Sequence, residues 1–282
     1  MTIIMKAALA VLVVLVCTVP TDAGESTFPD IQRILDNQKL LVAILARDAP
    51  PMIMTDDHGA VIGAEVDLAL DIGKKLGVAV EFLRTAETYN DVVEIVARKE
   101  ADMAVSYLSS GTNRAKKVLF SQPYLIQNRR VFYNRALFSG LRRDYKIKTL
   151  EQVPTIAAEA SLEFGVLEGS IYEDMLAQDL PQFQPKLYQG LPEIVTAVKE
   201  GRIFASLHGE LGIEFYMRKH PETAIYIAVD PKVRHPSDIC IAVRPDAPNL
   251  MRWVNIYLTN HVGLLETADV IERFRKAHAK SE

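Results

Sequence analysis

Histidine, cysteine and serine nucleophiles are the residues whose spacing would announce chemistry first. The six histidines, His58, His208, His220, His235, His261 and His278, are scattered; none forms a helical pair and none has a cysteine nearby, so the ligand spacing of a metal site is absent. They read as solvated or helix-capping residues, and no metal is expected. The two cysteines, Cys17 and Cys240, are too few for a disulfide framework and lack the spacing of a zinc site. No GxGxxG run, P-loop or GxSxG elbow occurs, so dinucleotide, nucleoside triphosphate and serine-nucleophile chemistry all lack their local signatures. No cofactor is expected. With 32 Lys+Arg against 36 Asp+Glu, the formal charge is −4. That balance lacks the basic excess needed to hold a phosphate backbone, which argues against a nucleic-acid partner.

The elements that would position a site begin after an N-terminal address. One lysine, Lys6, precedes an unbroken apolar run from Ala7 to Cys17, and Thr21-Asp22-Ala23 ends in a small residue suited to cleavage before Gly24. The run is shorter than the roughly 20 residues a membrane-spanning helix needs, so residues 1–23 read as a secretory signal peptide. A lipid anchor at Cys17 is the rival reading, weakened because Val14-Leu15-Val16 lacks small residues. Cleavage leaves one thiol, Cys240, inside the apolar run Ile239–Val243, where it reads as a core residue.

Beyond the signal, short apolar runs alternate with amphipathic segments. A strand at 40–45, a helix at 65–76, a strand at 78–83, a helix at 88–99 and a strand at 103–105 give β-α-β-α-β, the pattern of a parallel sheet covered by helices. The pattern restarts with a strand at 164–167, a helix at 170–177, a short strand at 186–188, a helix at 191–199 and a strand at 203–207. Between the two units, Arg130-Val131-Phe132-Tyr133 is β-like and is followed by basic, loop-like sequence to Tyr145. A strand at 239–243 and helices at 249–261 and 267–279 close the chain. These last helices have no third sheet to cover and are expected to pack on the first unit. A composition 49% hydrophobic and 24% charged suits two globular α/β lobes. An exported two-unit chain without a cofactor motif suggests a ligand cleft between the lobes.

Three stretches carry a resemblance. APPMIMTDDHGAVIGAEVDLALDIGKKLG, ADMAVSYLSSGTNRAKKVLFSQPYL and AVRPDAPNLMRWVNIYLTNHVG resemble the solute-binding proteins of amino-acid ABC transporters, the family-3 type of periplasmic binding protein. Pro50-Pro51 followed by Gly63-x-x-Val66-Asp67-Leu68, and the run from Arg114 to Tyr124, are its most specific pieces. The resemblance implies the periplasmic binding protein-like II fold: two α/β lobes joined by two crossing strands, near 127–135 and 236–241, with the cleft between them. Lobe 1 would comprise 24–130 plus 236–282, and lobe 2 would comprise 131–235. It also implies a monomer in the periplasm that hands a small carboxylated solute, an amino acid or a relative, to a membrane permease.

The same resemblance implies roles for individual residues. Arg114 would clamp the ligand carboxylate, since a planar guanidinium offers two parallel donors to two oxygens. Ser109 would give its hydroxyl and amide to that carboxylate, Tyr107 its carbonyl to the ligand amine, and Gly111 belongs to the same ligand-contacting stretch. From lobe 2, Gly169-Ser170 at a helix start would close on the anion, and Tyr89 would place a ring against the ligand side chain. Three positions depart from the family pattern. Ala49 stands where many relatives have an aromatic residue, Tyr107 replaces a small one, and Gly209 stands where an Asp usually pairs with the ligand ammonium. Either Glu210 does that work after a one-residue shift, or Asp48 does it from lobe 1, or the ligand differs. A dehydratase alternative arises because the fold is shared with exported cyclohexadienyl dehydratases. Those enzymes place a catalytic Glu where this chain has Gly212, which weighs against catalysis. A sensor component is the third reading.

Overall fold

The structure, a computed structural model, describes residues 27–231 and 235–278. The expected signal peptide, its cleavage site and Cys17 lie outside the described residues. The first half of the chain runs α1 (Pro29–Asp36), β1 (Lys39–Leu45), β2 (Met54–Thr55), β3 (Val61–Ile62), α2 (Ala64–Leu76), β4 (Ala79–Ala86), α3 (Tyr89–Ala97), β5 (Met103–Ser109), β6 (Leu119–Phe120) and β7 (Leu125–Asn134). The second half runs α4 (Arg135–Asp144), β8 (Glu163–Leu167), α5 (Ile171–Asp179), β9 (Gln184–Tyr188), α6 (Leu191–Lys199), β10 (Ala205–Gly209), α7 (Glu210–Lys219), β11 (Ile227–Val229), β12 (His235–Val243), α8 (Pro248–Tyr257), β13 (Leu265–Glu266) and α9 (Thr267–His278).

The strands lie in the order β4-β1-β5-β12-β7-β10-β8-β9. Strands β4, β1 and β5 are mutually parallel, as are β10, β8 and β9. Between these groups β7 and β12 run antiparallel to one another, with Gln127 opposite Ser237; β12 also pairs with β5 and β7 with β10. This is the two-lobe α/β architecture with two crossing strands. The expected lobe limits at 130/131 and 235/236 fall inside β7 and at the first residues of β12. Strand β5 is buried at every position, as expected for a strand covered by helices on both faces.

The expected basic loop after β7 is instead helix α4. Its apolar residues are few, so periodicity alone hides it. Asn134 supplies the missing signal: its side-chain oxygen accepts from the Leu137 amide at 2.9 Å, and its Nδ2 donates to the Val198 carbonyl at 2.7 Å. One residue thus caps α4 and ties it to α6. Helix α8 packs on α1, whereas α9 touches both α2 and α7, so the last helix reaches further than the first lobe. Cys240 is buried in β12, and burial pushes its thiol up to about 11.

Phe132 is the largest of the fully buried side chains and sits on crossing strand β7. Phe132→Ala is expected to cost about 3–5 kcal/mol of unfolding free energy, the range for aromatic truncation in a packed core. Chemical denaturation measures it; a loss under about 1 kcal/mol would show that the strand is not packed as described.

Candidate ligand-binding cleft

Strand β5 delivers its last residues to the gap between the lobes, and a single turn of 3-10 helix, Arg114–Lys116, follows it. Arg114 donates from Nη1 to the Ser109 carbonyl at 3.0 Å and from Nε and Nη2 to Asn90 Oδ1 at 3.1 and 3.0 Å. Nη2 also reaches across to the Gly169 carbonyl in lobe 2 at 3.2 Å. All of these acceptors are neutral, and the residue is 8% exposed. Burial pulls its pKa below the ordinary arginine value.

The neighbours are held by local chemistry. A capping box between Thr88 and Asp91 starts α3, which presents Tyr89 and Asn90 at the helix's first turn. On the other side Ser170 caps α5, accepting from the Tyr172 amide and donating to the Leu167 carbonyl. Gly169, at φ +63°, has no room for a side chain: a Cβ would lie 2.5 Å from Thr88 Oγ1. Its carbonyl also accepts from the Asn90 amide at 3.0 Å. Thr88, Asn90 and Arg114 therefore touch Gly169 directly, and the lobes are closed on one another here.

Tyr107 adopts φ +52°, a left-handed conformation that costs a tyrosine on the order of 1–3 kcal/mol. Glu65, fully buried at the start of α2, accepts from the Tyr107 amide at 2.8 Å and from the Tyr124 hydroxyl. Burial pushes the Glu65 carboxyl up to about 7, against the lowering effect of those two donors. The Tyr107 hydroxyl donates to Gln127 Oε1.

Two connected chambers result. The narrow one, about 20 Å³, is walled by Arg114, Ser109, Ser170, Gln127 and Tyr172. The wide one, about 250 Å³, is reached past Tyr89, Tyr107, Leu167 and His208, which line both. Asp48 and Ala49 line the wide chamber. There the Asp48 carboxylate accepts from Arg84 Nη2 at 2.5 Å and from the Thr55 hydroxyl at 2.9 Å. Gly111 stands beside α5, where a Cβ would meet Ile171 Cδ1 at 3.0 Å, and it lies outside both linings. Glu210 lies outside both as well. Its carboxylate accepts from Arg130 and from Asn128 Nδ2 at 3.0 Å and faces a separate surface depression. The one-residue shift expected of Glu210 therefore does not bring it to the cleft.

His208 departs from the solvated reading. It is buried between the chambers, its Nδ1 lies 3.1 Å from the Gly209 carbonyl, and burial holds its pKa down to about 4. His208 and Gln127 also account for two glycines. A Cβ on Gly212 would lie 2.6 Å from His208 Cε1, and one on Gly209 would lie 2.6 Å from Gln127 Oε1. Neither His208 nor Gln127 stood out in the sequence, although Gly209 and Gly212 did, because which side chain fills each glycine's space is decided only when the backbone folds. Asn90 and Arg47 were missed because their partners, Arg114 and Gln189, lie 24 and 142 positions away.

The family model for bacterial extracellular solute-binding proteins, family 3, matches residues 41–262. The chain belongs to that family. Among family relatives, the arginine-binding periplasmic protein of Mannheimia haemolytica is 28% identical over 182 residues, 64% of this chain and 67% of that protein. The membrane-bound lytic murein transglycosylase F of Idiomarina loihiensis is 24% identical over 242 residues, 84% of this chain but 49% of the larger protein. In fold, the chain is similar to an ancestral amino acid-binding protein described as a precursor of cyclohexadienyl dehydratase, with a TM-score of 0.67 at 23% identity over 89% of this chain and 98% of that one.

Two of the buried titratable groups, His208 and Glu65, pull stability in opposite directions with pH. Between about pH 4 and 6.5 the unfolded chain binds more protons at His208 than the folded chain, so this contribution rises with pH. Between about pH 4.5 and 7 the folded chain binds more at Glu65, so that contribution falls as pH rises. Denaturation of His208→Gln and Glu65→Gln across this range is expected to tilt the stability curve in opposite senses relative to the parent. A variant whose slope tracks the parent would overturn the burial assigned to that residue.

Proposed function

We propose that this chain is an exported solute-binding protein that captures a small carboxylated solute, an amino acid or a relative of one, by closing its lobes and delivers it to an ABC permease. One observation carries the reading: Arg114 is a buried guanidinium at the end of an interlobe cleft whose hydrogen bonds all go to neutral acceptors. Such a charge is costly to bury, and a ligand carboxylate approaching Nη1 would supply the negative charge that its neutral partners lack. The hydroxyl of Ser109 and the start of α5 add donors on either side. Residues 24–130 with 236–282 would form one rigid lobe and 131–235 the other, turning about β7 and β12 as hinge segments. The chain would act as a monomer in the periplasm after loss of residues 1–23. Among the described residues no helix is long and apolar enough to cross a membrane.

The dehydratase alternative finds little support in the cleft. The position at which those enzymes are expected to place their catalytic Glu is Gly212, and the His208 ring occupies the space a side chain there would enter. A sensory role would use the same closed form and differ only in the membrane partner.

The test is a thermal-shift screen of the mature protein against amino acids and other carboxylates, repeated on Arg114→Ala and Arg114→Lys. A ligand at about 100 times its Kd stabilises by about 2.7 kcal/mol, a shift easily read. Both variants should lose about 2–5 kcal/mol of binding, tens to thousands of times in Kd, because alanine removes the charge and an ammonium cannot hold Ser109, Asn90 and Gly169 as the planar guanidinium does while still facing a ligand. An alanine variant that binds as well as the parent would remove Arg114 from the site. Gly169→Ala should weaken the same ligand at least about tenfold by holding the lobes apart at Thr88.

A further inference from the structure

The cleft holds a second guanidinium for which the carboxylate-binding reading has no use. Arg47 lies on lobe 1 in the wall of the wide chamber. Its Nη1 donates to Gln189 Oε1 on lobe 2 at 3.2 Å, while Nη2 is buried without a hydrogen-bond partner. A buried donor left without a partner is destabilising, so its position calls for an acceptor. Tyr89 lies between the two arginines: its hydroxyl feels the charge of both Arg47 and Arg114, and its ring lines both chambers. The wide chamber also carries Lys219 and His220 at its rim. Asp48, the acid found in its lining, is committed to Arg84 and Thr55.

The amine side of the cleft points the same way. Where an acid would meet a ligand ammonium, the chain has Gly209, and the Gln127 side chain fills the space beside it. The Gln127 carbonyl oxygen already accepts from Tyr107. No carboxylate lines the narrow chamber. Asp174 acts on Arg114 only through space from α5, and Glu65 spends its oxygens on Tyr107 and Tyr124. An ammonium placed beside Arg114 would lose its hydration and meet a like charge.

We propose that the natural ligand is a dicarboxylate without an α-ammonium, one carboxylate on Arg114 in the narrow chamber and the other on Arg47 in the wide one. The inference rests on the carboxylate-binding reading and adds the ligand's class. Closing the lobes then pairs both guanidiniums at once, and the Arg47 to Gln189 contact makes the second carboxylate part of the closing surface. The 250 Å³ of the wide chamber leaves room for a spacer of several carbons.

The experiment measures, by calorimetry and thermal shift, binding of the mature protein to unbranched α,ω-dicarboxylates of four to eight carbons. Each is compared with the monocarboxylate of equal length and with the 2-amino diacid. At least one diacid should bind at least about tenfold more tightly than both of its counterparts. Arg47→Gln should bring that diacid down to the affinity of its monoacid, and Arg47→Lys should keep part of the preference. An unchanged diacid-to-monoacid ratio in Arg47→Gln, or a 2-amino diacid bound as tightly as the deaminated one, overturns the inference. So does failure of every diacid to bind. In that last case the carboxylate-binding reading stands if any monoacid or amino acid shifts melting in an Arg114-dependent way, and falls if none does.

Discussion

A guanidinium taken out of water has to be answered by something, and in this protein Arg114 is answered by neutral acceptors from both lobes. Its donors are occupied by an amide oxygen and two backbone carbonyls, which orient the group and relieve part of its lost hydration without neutralising its charge. The arrangement spans both lobes, because the Gly169 carbonyl comes from the turn that leads into α5 and the other acceptors come from lobe 1. The lobes therefore meet at this residue. The capping of α3 and α5, the left-handed turn at Tyr107 and the glycine at 169 all hold groups at the distance that Arg114 requires.

Glycine and bulk exchange places around the cleft. Gly209 leaves room for Gln127, Gly212 leaves room for His208, and Gly169 leaves room for Thr88. At Gly209 and Gly212 the space that a side chain would take is filled by neutral side chains from β7 and β10. That exchange brings no negative charge into the cleft and leaves two arginines in it. The character of the pocket thus follows from packing as much as from which polar residues are present.

The crossing strands do double duty. β7 carries Gln127 into the cleft and Phe132 into the core, and its neighbour β12 carries Ser237, whose hydroxyl lies 2.9 Å from that of Ser109. A movement of the lobes about these strands would be felt at once by Gln127 and, through it, by Tyr107. Glu65, buried behind Tyr107, holds the backbone there and so connects the core of lobe 1 to the cleft wall.

The alternation of apolar runs and amphipathic helices was enough to determine the two α/β units, because a covered parallel strand must be apolar throughout and its covering helix apolar on one face. The resemblance carried by the run from Arg114 to Tyr124 singled out Arg114, whose burial and neutral partners only the fold shows. Helix α4 was hidden because Asn134 and α6 stabilise it more than its own apolar residues do. The destination of Glu210 was hidden because one residue of helix rotation decides whether a side chain faces the cleft or the Arg130 side. The buried Nη2 of Arg47, the neutral His208 and the filling of the Gly209 space by Gln127 depend on contacts between residues tens of positions apart, which only the tertiary structure brings together.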